Sequence, residues 1–189
     1  YNVAVGYDAG TKVTTGVHNV LVGGSAGDAL TDADFNVAIG SDALTSDTLG
    51  SRSVAVGFQA LGVQNFTTAT AAYNVAVGMN AGLSVTTGTG QTLIGGLAGD
   101  AITTSPNNTC IGYLAGTAIS TGDGNSTCVG VSAGANLTTG SGNTLIGASA
   151  GNLSVLLQTG DNNTVVGTGA RTSSSSVDSE IVLGYNITG

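Results

Sequence analysis

The stretch "NVAVGYDAG" at residues 2–10 returns almost unchanged as "NVAVGMNAG" at residues 74–82, and the fold follows from how often this phrase recurs. Aligning on the glycine that closes the apolar run picks out Gly6, Gly23, Gly40, Gly57, Gly78, Gly95, Gly112, Gly130, Gly147, Gly167 and Gly184, eleven copies. Seven of the ten steps between them are 17 residues; the others are 18, 20 and 21. A fixed short period marks a stacked-repeat architecture, because no single unit can bury its own apolar face. The larger insertions fall around "VQNFTTATAAY" (63–73) and "NLSVLLQTGD" (152–161), outside the phrase, as expected if loops absorb length that strands cannot.

Reading down the columns assigns each position. One before the glycine is always branched aliphatic: Val5, Val22, Ile39, Val56, Val77, Ile94, Ile111, Val129, Ile146, Val166 and Leu183. Three before it stand five valines (Val3 to Val75), five threonines (Thr92 to Thr164) and Ile181, all β-branched, as a strand prefers. Four before it is Asn in seven copies, a residue suited to a turn. Three after it is Ala in ten. A second apolar position follows seven after the glycine (Val13, Leu30, Val85, Ile102, Ile119, Leu137), usually leading into Thr-Thr-Gly. Each unit thus offers one strong strand, a weaker one and two turns. Stacking them predicts an all-β parallel β-solenoid, or β-roll, of about eleven 17-residue coils over residues 1–189, a single repeat array expected to be a segment of a longer chain.

Side chains alternate across a strand, so the columns one and three before the glycine share a face, read as the interior of the coil. The column between them should then be polar. Instead it holds Ala4, Leu21, Ala38, Ala55, Ala76, Leu93, Cys110, Cys128, Leu145, Val165 and Val182. A strand apolar on both faces is buried on both, and one coil covers only one. The second column is therefore the candidate oligomer interface, in a parallel homotrimer along the rod, the alternative being a wider coil in which neighbouring strands cover it.

Composition narrows the chemistry. Only 7% of residues are charged, with 3 basic against 11 acidic and a net charge of −8, so neither nucleic acid nor membrane insertion is expected. The acids occupy non-matching turn columns and His18 is the single histidine, which leaves no catalytic constellation, cofactor site or metal site within one chain. Cys110 and Cys128 occupy one column in adjacent coils; a bridge is within reach, but two thiols acting as small apolar residues fit the column better. Thr14, Thr31, Thr48, Thr86, Thr103 and Thr138 form a rank, though not the Thr-x-Thr pattern that would set two threonine ranks on one face.

The phrase Asn-x-Ala-Val-Gly resembles the repeat of YadA-like adhesin heads, which are trimeric parallel β-rolls. "NTLIGASAG" (143–151) with its Thr-Thr-Gly phrases is similar to tail-fibre repeats of marine and cyanobacterial phages, and "SEIVLGYNITG" (179–189) to the variant repeat that ends such arrays. The resemblance covers the whole chain and implies a non-enzymatic shaft or adhesin segment at the cell or virion surface, meeting a host receptor or glycan. Exposed turn residues Tyr7, Phe58, Met79, Tyr113 and Tyr185 are the candidate contacts. A self-assembling extracellular filament and a solenoid binding ice or carbohydrate surfaces are the other readings.

Overall fold

A computed structural model describes residues 1–122, 124–152 and 157–189. The strands are β1 (Val3–Val5), β2 (Val20–Val22), β3 (Val37–Ile39), β4 (Gly50–Ser51), β5 (Val54–Val56), β6 (Thr70–Ala71), β7 (Val75–Val77), β8 (Thr92–Ile94), β9 (Thr109–Ile111), β10 (Thr127–Val129), β11 (Thr144–Ile146), β12 (Thr164–Val166) and β13 (Ile181–Leu183). All but β4 and β6 join one parallel sheet, ordered along the chain. Each phrase pairs with the next in register, and the long steps do not shift it: Val54 faces Val75 across 21 residues, Cys110 faces Cys128 across 18, and Thr144 faces Thr164 across 20. The protein is a parallel β-solenoid. Ten steps of about 4.8 Å give the sheet a length of roughly 48 Å.

The alternation runs opposite to the expected sense. The middle column points into the coil: Leu21, Ala38, Ala55, Ala76, Leu93, Cys110, Cys128, Leu145, Val165 and Val182 are buried within a single chain. Ala4, in the first coil, shares their register but is exposed. Ten of the eleven interface candidates are therefore interior residues of the single coil, and Ala4 ends their column at the open first coil. The columns one and three before the glycine face out, with Val5 at 58% exposure and Ile39 and Ile94 at 39%. All three strand positions are apolar, so alternation alone fixes two faces without saying which is inner.

The coil is narrow, and that decides the matter. Its interior is lined by the middle column, by the alanine three after the glycine and by the residue four after it. Gly27 lies so close to Leu21 and Leu30 that a Cβ there would meet their methyls at 2.7 and 2.8 Å. Where the strand supplies Ala38 or Ala55, Leu44 or Leu61 takes the glycine's place and fills the space. This exchange of volume between columns keeps the interior close-packed, and each buried leucine contributes about 1.5–3 kcal/mol.

The asparagine column shares the inner face and is also buried, from Asn19 to Asn163. Asn19 Nδ2 donates across its own coil to the Ala33 carbonyl (2.7 Å), while its Oδ1 accepts from the Asn36 N–H (2.9 Å) of the next. Asn36 repeats this with the Gly50 carbonyl and the Ser53 N–H. Asparagine is thus an interior ladder closing each turn. The left-handed residue of the turn is the one before it, as at His18, Phe35, Arg52 and Tyr73.

The weaker strand is not built. Leu30, Val85, Ile102, Ile119 and Leu137 are buried, but they sit in irregular backbone between turns and bends rather than in a ladder. Left-handed residues two and four after the glycine, such as Ser25 and Gly27, keep this side of the coil too curved for an extended run. The only other sheet among the described residues is the short parallel pair β4–β6, at the four-residue insertion. The other large insertion includes residues 153–156, outside the described residues.

Beneath β4–β6 the apolar column is interrupted by Asp47 and Gln64, both buried. The Asp47 carboxylate accepts from the Gly50 and Phe66 N–H groups (3.0 and 2.9 Å) and from Gln64 Nε2 (2.6 Å). Gln64 Oε1 in turn accepts from Asn74 Nδ2 (2.8 Å). Burial pushes the Asp47 carboxyl above the 3.8 of an unperturbed aspartate, with the hydrogen bonds from Gln64, Phe66 and Gly50 acting against it. An acid raised in the folded state binds more protons folded than unfolded. Its stabilising contribution is complete below its unfolded value and is lost as pH rises through its folded one. Subtracting the melting temperature of Asp47→Asn from that of the wild type, pH by pH, should give a difference that falls as pH rises across that window.

Candidate functional site: the outer face of the sheet

What the coil leaves uncovered is one face of its sheet. The column one before the glycine lies along it from Val5 to Leu183, flanked by the column three before, valine over the first five coils and threonine over the next five. The five threonines place a row of hydroxyl-bearing side chains beside Ile94, Ile111, Val129, Ile146 and Val166. The first half of the face is thus aliphatic throughout, and the second half alternates hydroxyl and aliphatic ladders.

A further column, five before the glycine, borders this face on the side where the chain enters the strand. Over five coils it reads Tyr1, His18, Phe35, Arg52 and Tyr73, all exposed and all planar. The Tyr1 and His18 rings stack at 5.6 Å with 11° between planes, and His18 and Phe35 at 5.0 Å with 9°. The Arg52 guanidinium lies 5.5 Å from the Phe35 ring and 5.8 Å from that of Tyr73. From His18 to Tyr73 these bulky residues adopt the left-handed conformation, φ 52–64°, which L side chains resist. In the sequence the ladder shows only as five consecutive planar side chains in a column that later holds Gly90, Asn107, Asn125 and Gly142.

The candidate contact residues Tyr7, Phe58, Met79, Tyr113 and Tyr185 are all exposed. In the column after the glycine Phe58 and Met79 are neighbours in adjacent coils, Tyr113 stands between Gly96 and Val131, and Tyr7 and Tyr185 occupy the first and last coils. The threonine rank is real, but its hydroxyls are engaged. Thr31 donates to the Thr48 carbonyl, Thr86 to Thr103, Thr103 to Ser120 and Thr138 to Gln158, at 3.0–3.1 Å. They act as rungs between coils.

Cys110 and Cys128 are free, buried thiols in register with each other. Hydrogen bonding to Cys128, followed by burial, holds the Cys110 thiol well above the usual thiol range, so it carries no reactive thiolate at neutral pH. Among the described residues no three His, Cys, Asp or Glu side chains converge as a metal would need, and no helix is long and apolar enough to cross a membrane. The class is therefore set by the fold and by this face: a parallel β-solenoid rod with one uncovered, largely apolar side. No family model, no curated protein and no solved structure matches the chain.

Proposed function

We propose that this chain is a non-enzymatic fibre or adhesin segment, a rigid β-solenoid shaft of a phage tail fibre or a bacterial surface adhesin, assembled as a parallel homotrimer outside the cell. The observation that carries the reading is the outer face of the sheet. Its columns one, three and five before the glycine hold no acid in any of eleven coils, and Arg52 is their only charged residue, in a chain of net charge −8. Copies of an acidic protein can approach along this face without bringing carboxylates together. Roughly 48 Å long and about 16 Å wide, it covers on the order of 800 Å², about what each partner contributes to a standard stable interface.

Parallel in-register coils support a shaft role, since each identical ladder resists bending with a row of backbone bonds. The resemblance of the phrases to YadA-like heads and phage fibre repeats supports the trimeric form and the surface setting. Exposed turn residues such as Tyr113 and Tyr185 are then the positions available to a host receptor or glycan. Sedimentation equilibrium tests the assembly: a mass near 54 kDa is expected, three times the 18.1 kDa chain. A stable monomer would instead leave the threonine–isoleucine half of the face open to water and favour a single rod that binds an extended surface. Open-ended polymers would favour a filament.

A further inference from the structure

The two columns that border the outer face differ in charge; the acids one position beyond the planar column, Asp34, Asp161 and Asp178, have their carboxylates occupied by the N–H groups of Val17, Ser141 and Asp161. On the side where the chain enters each strand stands the planar ladder with Arg52, one of only three basic residues in the chain. Arg52 is sandwiched between the rings of Phe35 and Tyr73. With both faces of the guanidinium covered by rings, its N–H donors are left at the exposed edge, fixed in one plane. Among the described residues it is held by ring faces rather than by a carboxylate. On the side where the chain leaves the strand, two residues after the glycine, stand Asp8 and Asp42. Asp42 is partly exposed and its carboxylate accepts from the Ser41 hydroxyl at 3.2 Å.

Asp42 follows β3 and Arg52 precedes β5, the next strand of the sheet, so along the rod they differ by no more than about one strand spacing, ~4.8 Å. Asp8 after β1 and His18 before β2 show the same offset. The two edges are separated by the width of the face, so neither pair can form within one chain. In a closed ring of parallel chains every contact is heterologous, and the entering edge of one protomer meets the leaving edge of the next.

Building on the trimer proposed above, we propose that Arg52 of one protomer pairs with Asp42 of its neighbour, and that this contact, repeated three times, sets the parallel register of the rod. His18 lies opposite Asp8 in the same arrangement one pair lower. The stacked ladder acts here as a scaffold, ordering the guanidinium before the partner arrives and so reducing the entropy lost on association.

The test places cysteines at both positions, R52C/D42C, in a chain whose interior thiols are replaced by C110A/C128A, alanine being the residue that this column holds in other coils. Oxidised glutathione supplies the oxidant: two protein thiols become one disulfide and the reagent leaves as two thiols. A covalent trimer on a denaturing, non-reducing gel is expected for the double variant and not for either single one. A charge exchange in the otherwise native chain gives a second readout. R52E and D42K should each weaken trimerisation about tenfold or more, and R52E/D42K together should recover most of it. A wild-type trimer with neither the cross-link nor the recovery overturns the pairing and leaves the trimer standing. A monomeric wild type overturns both.

Discussion

Gly78→Ala is expected to disrupt the stack at its middle, lowering stability by at least about 3 kcal/mol. Gly78 has φ +138°, and a Cβ there would sit 2.5 Å from the carbonyl oxygen and 2.6 Å from the carbonyl carbon of Gly95 in the next coil. Two costs coincide. The backbone conformation is one that L residues rarely adopt, and the obstacle is backbone in a register fixed by hydrogen bonds on both sides, so it cannot turn aside. The closing glycines of neighbouring coils are packed against one another, which is why this column holds nothing else. Gly24→Ala is the control: its nearest neighbour would be the Ser41 hydroxyl at 3.8 Å, and a change within about 0.5 kcal/mol is expected. Paired thermal and urea melts measure both.

The second large effect separates the two faces of β7. Ala76→Glu should abolish cooperative folding, whereas Val77→Glu, the very next residue, should leave the coil intact. Ala76 is fully buried and lies in register between Ala55 and Leu93. A carboxyl group there has no polar partner on its column and no volume to occupy. Steric overlap and the cost of an unpaired buried acid together exceed about 4 kcal/mol. Val77 is partly exposed on the outer face, where a glutamate reaches water in the single chain at a cost of about 1 kcal/mol or less. Circular dichroism melts of the two variants distinguish inner from outer directly. Reading Val77 as the core residue, as the alternation first suggested, predicts the reverse order.

That reversal shows what the sequence made legible. The period, the strand positions and the in-register pairing across insertions could all be read from the spacing of the glycines, whereas the interior place of the alanine column could not. Which strand face was inner could not be settled by alternation, because Val75, Ala76 and Val77 are all apolar. Two clues pointed the right way. Asparagine four before the glycine shares a face with the middle column, and a buried amide is tolerated where it closes a ladder, as Asn74 does with the Gly88 carbonyl at 2.8 Å. The threonines beginning at Thr92 put hydroxyls on the other face. The planar ladder from Tyr1 to Tyr73 was equally visible as letters. Its geometry is not legible there, because bulky side chains such as Phe35 and Arg52 disfavour the left-handed conformation that they adopt.

The exposed large residues illustrate the converse. Tyr113 and Tyr185 were expected on the outside and are there, because the turn after the glycine has no interior to offer them. Any receptor contact they make belongs to the proposal and not to the fold.

Copies of this chain are proposed to meet through the outer face of the sheet. Sedimentation equilibrium of folded Val77→Glu, under conditions where the wild type is a trimer, tests it most directly. The expected result is a folded chain near 18.1 kDa, or an association weakened at least about a hundredfold by three carboxylates brought together in a desolvated contact. A variant that stays trimeric with unchanged affinity would contradict the claim and move the interface to another side of the rod.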